Sequence, residues 1–157
     1  MPADQASSCP ATPLPPWTAP EAVAMVLESS ALSVHDALDQ LMRHPAISDL
    51  GDEAIGTLWT VLAEVLNNVV KHAYAEYPGT ICLRLWRDGD ALAVEVTDHG
   101  LPMPGLSLPE GNLPAPERPG ELPEGNFGWF LIRTLTDYLA YERLDDTNRL
   151  TFSIAAC

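Results

Sequence analysis

Proline placement constrains this chain before anything else does. Of its 15 prolines, six lie in residues 1–20 and seven in residues 99–127, leaving Pro45 and Pro78 elsewhere. Proline locks φ and donates no backbone hydrogen bond, so neither cluster can form the interior of a helix or a sheet. The first is expected to be a disordered tail over residues 1–20. The second also carries Gly100, Gly105, Gly111, Gly120 and Gly125. It far exceeds the usual connection of about 4–6 residues, and loops of that length commonly cover or bind something. Residues 21–157 then make up one domain, as suits a chain of 157 residues.

Between the breaks, hydrophobic periodicity is readable. Residues 23–29 (VAMVLES) read as a strand. Ser33 and Asp36 fit a capping box that opens a short helix through Ala37, Leu38 and Leu41 and stops before Pro45. Over residues 52–77, Leu58, Val61, Leu62, Val65, Leu66, Val69, Val70 and Ala73 recur at helical spacing, giving the strongest helix in the chain. Residues 80–87 and 91–98 read as strands joined at Asp88-Gly89, the residue pair of a tight hairpin turn. Beyond the loop, residues 128–137 (GWFLIRTLTD) predict a helix, and residues 138–143 and 149–155 a second hairpin. The order β-α-α-β-β-loop-α-β-β implies an α+β, two-layer sandwich: a mainly antiparallel sheet with about three helices on one face.

Twenty-two acidic against 8 basic residues give a net charge of −14. Such a field repels phosphodiester backbones and anionic lipid, so nucleic acid and membrane are disfavoured as partners. A small anion is not excluded, because a helix N-terminus or a metal ion reverses the sign locally. No apolar run approaches the roughly 18–20 residues needed to cross a bilayer, and residues 1–20 lack the features of a secretory signal. A cytoplasmic protein is expected. Cys9, Cys82 and Cys157 are too widely spaced for a zinc site or a disulfide framework.

Three places could carry chemistry. On the long helix, Glu64, Asn68 and His72 fall along one line beside the apolar stripe. A carboxamide there can bind a hard cation while a carboxylate one turn away accepts a proton; the plain alternative is a solvated helix edge that also bears Asn67 and Lys71. Asp98-His99-Gly100-Leu101-Pro102 ends a strand with an acceptor for an exocyclic amine and a glycine that admits a flat ligand, although the same residues make ordinary turns. Glu124-Gly125-Asn126-Phe127-Gly128 leads into a helix whose free N–H groups could cradle phosphate, or it is a hinge. The tryptophans Trp59, Trp86 and Trp129, with Phe130, are expected to be core or subunit-contact residues.

Taken in order, these segments resemble the bacterial anti-sigma-factor serine kinases, members of the GHKL (Bergerat-fold) ATPase superfamily that also holds gyrase B, histidine kinases and MutL. Residues 64–74 (EVLNNVVKHAY) resemble that family's N box, residues 98–102 its first glycine box, and residues 125–137 its second. The similarity covers roughly residues 23–155. It implies ATP and Mg²⁺ as cofactors: Asn68 on the metal, Asp98 on the adenine amino group with Gly100 beside the ring, and Gly125, Asn126, Phe127 and Gly128 on the phosphates. It further implies Glu64 as catalytic base, Lys71 and His72 on the phosphate side, Thr151 near the adenine, and residues 99–127 as an ATP lid.

The resemblance also implies partners: a STAS-domain (anti-anti-sigma) antagonist phosphorylated on serine, a sigma factor or equivalent regulator sequestered in turn, and a second copy of the chain in a homodimer. Trp129 stands where the family pattern has Leu, and Pro104 where many relatives carry an acidic residue. Two other readings compete. One is a non-catalytic ATP-binding module, which would have no use for Glu64. The other is the ATPase half of a sensor histidine kinase, for which residues 1–29 leave no room for a dimerisation module.

Overall fold

The computed structural model describes residues 23–111 and 127–156. The expectations for the 1–20 tail and for residues 112–126 of the lid lie outside the described residues.

Alternation builds the sheet. Strands β1 (Val23–Glu28), β2 (Thr80–Asp88), β3 (Ala91–Asp98), β4 (Tyr138–Leu144) and β5 (Thr147–Ala155) lie in the order β1-β2-β3-β5-β4, each neighbouring pair antiparallel. Register matches like with like: Leu83 faces Val96, Leu85 faces Val94, Val96 faces Leu150 and Val94 faces Phe152. With a side-chain period of two, these residues form one apolar face. The opposite face carries Arg84, Glu95 and Arg149, with the Glu95 carboxylate 3.3 Å from Arg84 and 3.9 Å from Arg149.

The helices cover the apolar face. Helix α1 (Ala31–Met42) is capped by Ser30, whose Oγ accepts from the Ser33 N–H at 3.1 Å. The cap therefore sits three residues before the Ser33 expected from sequence, because Ser30 is the residue with extended backbone. A short helix, α2 (Pro45–Ser48), follows, with Pro45 in the first turn where a missing N–H is harmless. Helix α3 (Asp52–Asn68) carries Leu58, Val61, Leu62 and Leu66, all fully buried, and places Asp52 and Glu53 at its positive end. Burial of each such side chain contributes about 1.5–3 kcal/mol. Helix α4 (Phe127–Leu135) packs beside α3 through Trp129 and Ile132. Among the described residues no helix is long and apolar enough to cross a membrane.

The helix expected to run to Tyr77 changes pitch at Asn68. Val69–Ala73 form one wider π turn, closed by the Tyr74 N–H on the Val69 carbonyl at 3.0 Å. Such turns are rare and cluster at functional sites. This one stands where the ends of α3 and β3 meet the starts of α4 and β5.

Candidate functional site

Asp98 is the last inward-facing residue of β3, where the alternation that buries Val94 and Val96 delivers a carboxylate to the rim of the core. It is 4% exposed. Its Oδ1 accepts from the Gly100 N–H and from Asn148 Nδ2, both at 2.8 Å. Burial pushes the Asp98 carboxyl above its ordinary range; the bonds from Asn148 and Gly100 and the charges of Arg143 and His99 oppose that shift.

Asn148, opposite Asp98 in the register of β3 and β5, is the residue the sequence reading missed. By sequence alone it falls in the turn of the second hairpin. It is 5% exposed and central to a network. Its Nδ2 also donates to the Leu101 carbonyl at 2.9 Å, and its Oδ1 accepts from Tyr141 Oη at 2.7 Å and from Arg143 at 3.0 Å. Arg143 donates in addition to the Gly100 carbonyl at 2.7 Å, and the Met103 N–H donates to Tyr141 Oη at 3.0 Å. Once strand pairing put residue 148 opposite 98, an uncharged amide beside a buried acid would have been the signal.

The π turn clamps the same loop from the helix side. The Leu101 N–H donates to the Ala73 carbonyl at 2.7 Å, and Tyr74 Oη accepts from the His99 N–H at 2.9 Å while donating to the Thr80 carbonyl at 2.6 Å. Burial raises the Tyr74 pKa, so its hydroxyl stays protonated and able to donate. A Cβ on Gly100 would run into the Ala73 carbonyl, which fixes glycine at that position.

At the other end stands Asn68, the last residue of α3. Its Nδ2 is buried and makes no hydrogen bond among the described residues. Gly128, in the first turn of α4, lies so close that a Cβ there would strike Glu64 Oε2 and come within 3.9 Å of Asn68 Nδ2. The Glu64 carboxylate thus rests against the positive end of α4, whose first turn has no acidic residue of its own. Residues after the first glycine box dock onto α4: Arg133 Nε donates to the Pro109 carbonyl at 2.8 Å, and Gly111, at φ +71°, fits against the Trp129 backbone.

A cavity of about 250 Å³ joins the two ends. Helix α3 and the π turn supply Val65, Asn68, Val69, His72 and Ala73; the sheet supplies Val96, Asp98, Tyr141, Asn148 and Leu150. Leu101, Met103, Pro104, Pro109 and Trp129 complete the wall. The walls are apolar, with a buried acceptor at one end and an unpartnered amide at the other. That suits a flat heterocycle bearing an amine and trailing a polar group.

Of the residues expected from sequence, Asn68, His72 and Asp98 meet in this cavity, with Gly100 behind Asp98 and Gly128 against Glu64. Thr151 does not join them. It sits on the other face of β5, opposite Glu95 in the register, because it is one residue out of phase with Asn148 and Leu150. Lys71 is exposed and forms no part of the wall. Phe127 is 44% exposed and stacks on Phe130 with ring centroids 5.9 Å apart, away from the cavity lining. Gly125 and Asn126 lie outside the described residues. Trp129 is 8% exposed and is both a core residue and part of the wall, whereas Trp59 is 49% exposed.

A family model described as a histidine kinase-like ATPase domain matches residues 27–154. Among solved structures, the chain is similar to the RsbU and RsbW domains of a Mycobacterium tuberculosis protein, with a TM-score of 0.56 and 14% identity over 85% of this chain and 32% of that one. It spans about a third of that solved chain, and a likeness at this identity speaks to the fold alone. A second similarity, to the histidine kinase domain of a blue-light activated histidine kinase from Erythrobacter litoralis, has a TM-score of 0.44 and 24% identity over 66% of this chain and 45% of that one. No curated protein matches the sequence.

Proposed function

Because the chain belongs to the histidine kinase-like ATPase domain family, an ATP-binding family, we propose that it is a serine protein kinase that transfers the γ-phosphoryl group of ATP to an antagonist protein and sequesters a regulator in a partner-switching pair. One observation carries the reading: Asp98 and Asn68 stand at opposite ends of one apolar cavity, with Glu64 one helical turn from Asn68. Asp98 accepts the adenine amino group while Val96, Leu101, Met103 and Leu150 enclose the ring. The triphosphate extends toward the start of α4, where Gly128 keeps the backbone free of side chain, with Gly125, Asn126 and Phe127 just before it in the chain and Lys71 and His72 on the flank. Glu64 takes the proton from the substrate serine hydroxyl.

Mg²⁺ fits this donor set. The Asn68 carboxamide has a buried end without a partner among the described residues, and rotation about its last bond presents oxygen or nitrogen there. Among the described residues no group of three or more His, Cys, Asp or Glu could hold a metal ion, so its remaining ligands would be phosphate oxygens and water. When bound, the ion neutralises charge on the phosphates; positioning and charge balance are most of what phosphoryl transfer demands of a protein.

The partners are a STAS-domain antagonist as substrate, a sigma factor or equivalent regulator as the sequestered target, and a second copy of the chain. The sequence resemblance supports all three, and β1, which among the described residues pairs with β2 alone at one end of the sheet, supports the last. A second reading, an ATP-binding regulatory module without transfer, draws on the position of Glu64 against Gly128, outside the cavity wall. Purified protein, Mg-ATP and a candidate STAS-domain antagonist decide between them. Glu64→Gln is expected to leave ATP affinity within about 3-fold and to lower transfer by about 10²–10⁴-fold. Unchanged transfer would remove Glu64 as the base, and no transfer by the unaltered protein would leave the binding module.

A further inference from the structure

Asn148 has no valence left for a ligand. Each of its two N–H bonds points at a protein acceptor, Asp98 Oδ1 and the Leu101 carbonyl. Both lone pairs of its Oδ1 are taken, by Tyr141 and Arg143. The direction of the amide is forced as well. Arg143 can only donate, so the amide oxygen must face it, and Tyr141 Oη, which accepts from the Met103 N–H, gives its own hydrogen to the same oxygen. The carboxamide oxygen must therefore face Tyr141 and Arg143, and its nitrogen must face Asp98.

Resting on the nucleotide reading above, we propose that Asn148, oriented by Tyr141 and Arg143, is a positioning residue that holds Asp98 as a pure acceptor and so sets the preference of the site for 6-amino over 6-oxo purines. With N–H donors from both Asn148 and Gly100 on Oδ1, a proton on Asp98 would have to sit on Oδ2. That proton would turn the acceptor into a donor suited to a 6-oxo group. Burial favours the protonated form and the Asn148 donor opposes it. The other ionisable groups around Asp98 are Arg143 on β4, His99 beside it and Tyr74 after the π turn, with His72 and Tyr141 in the same cavity wall.

The test is binding of ATP and of inosine triphosphate to the full chain by calorimetry between about pH 5.5 and 8. The unaltered protein is expected to prefer ATP by about 10²-fold or more, because a buried acceptor without its donor is heavily penalised. Asn148→Asp sets a second carboxylate against Asp98. ATP affinity should hold best at the alkaline end, where Asp98 stays an acceptor, and fall about 10-fold as pH falls and the carboxylate pair takes up one proton; inosine triphosphate should gain over the same range. Tyr141→Phe, a milder change, should narrow the preference by about 3–10-fold while leaving a cooperative thermal transition. It decides alone if Asn148→Asp does not fold. Base preference and pH profiles in both variants that match the unaltered protein would overturn the role of Asn148 and leave ATP binding standing. Failure of the unaltered protein to bind either nucleotide would overturn the nucleotide reading and this inference with it.

Discussion

At the sheet end of the cavity, Asn148 spends every donor and acceptor on the protein, and the backbone from His99 to Met103 is held by Tyr74, Ala73, Arg143 and Tyr141. At the helix end, Asn68 has a buried nitrogen with no partner among the described residues, and Gly128 separates it from the carboxylate of Glu64. The same residue type thus does opposite work. One end is finished in the folded chain and selects a ligand by shape and by one acceptor; the other is completed when a ligand arrives. Pre-organisation belongs where the ligand is rigid, and unfilled valence where charge has to be gathered.

The widest separation should come from removing each amide. Asn148→Ala strands the Tyr141 hydroxyl, one lone pair's worth of Asp98 solvation and the Leu101 carbonyl, and is expected to lower stability by about 3 kcal/mol. Asn68→Ala removes a group whose buried nitrogen has no partner among the described residues and should leave the melting temperature unchanged or slightly higher, with nucleotide binding weakened. Thermal melts with and without Mg-ATP read both. Equal losses in the two variants would erase the contrast.

Two glycines give a smaller effect of the same sign. Gly100→Ala drives a methyl group into the Ala73 carbonyl, part of the backbone, and should cost about 1–3 kcal/mol. Gly128→Ala meets the far end of Glu64, which can swing away, so stability should drop by less than about 1 kcal/mol while phosphoryl transfer suffers from the displaced carboxylate. Denaturant midpoints set against transfer rates separate the two.

The least change in stability is expected from Asp98→Asn. A buried acid keeps its proton to a higher pH in the folded chain than in the unfolded one. Its contribution to stability therefore falls as pH climbs from about 3.9 through the raised value, and is level above it. Above its raised value the ionised, buried carboxylate is a burden that Asn lacks, while the Asn oxygen still accepts from Gly100 and Asn148. The variant should melt at the same temperature as the unaltered protein or slightly above, and lose adenine nucleotide affinity. A clear drop in melting temperature near pH 7, measured by calorimetry, would mean that Asp98 stabilises the fold rather than serving the ligand.

Much of this contrast could be read from sequence at one end and little at the other. The helical stripe from Leu58 to Ala73 placed Asn68 and Glu64 on one line, because α-helical geometry is local and its period is short. The strand ending at Asp98 was legible through Asp88-Gly89 and the alternation that follows. Asn148 was not, because its role depends on which strand lies beside β3, a pairing across some fifty positions that no local pattern encodes. Thr151 shows the same limit from the other side: the strand was read correctly, but its facing follows from register. The π turn had no signal in the helical spacing, which runs on unbroken through Val69, Val70 and Ala73.

On the proposed reading, one nucleotide spans both ends of one cavity. A crystal structure with Mg²⁺ and a non-hydrolysable ATP analogue tests it most directly. The adenine amino group is expected within hydrogen-bond distance of Asp98 and the phosphates between Asn68 and the first turn of α4, with Asn148 still bound to Tyr141 and Arg143. An analogue seated elsewhere, or one that touches Asp98 while its phosphates point away from Asn68, would contradict it.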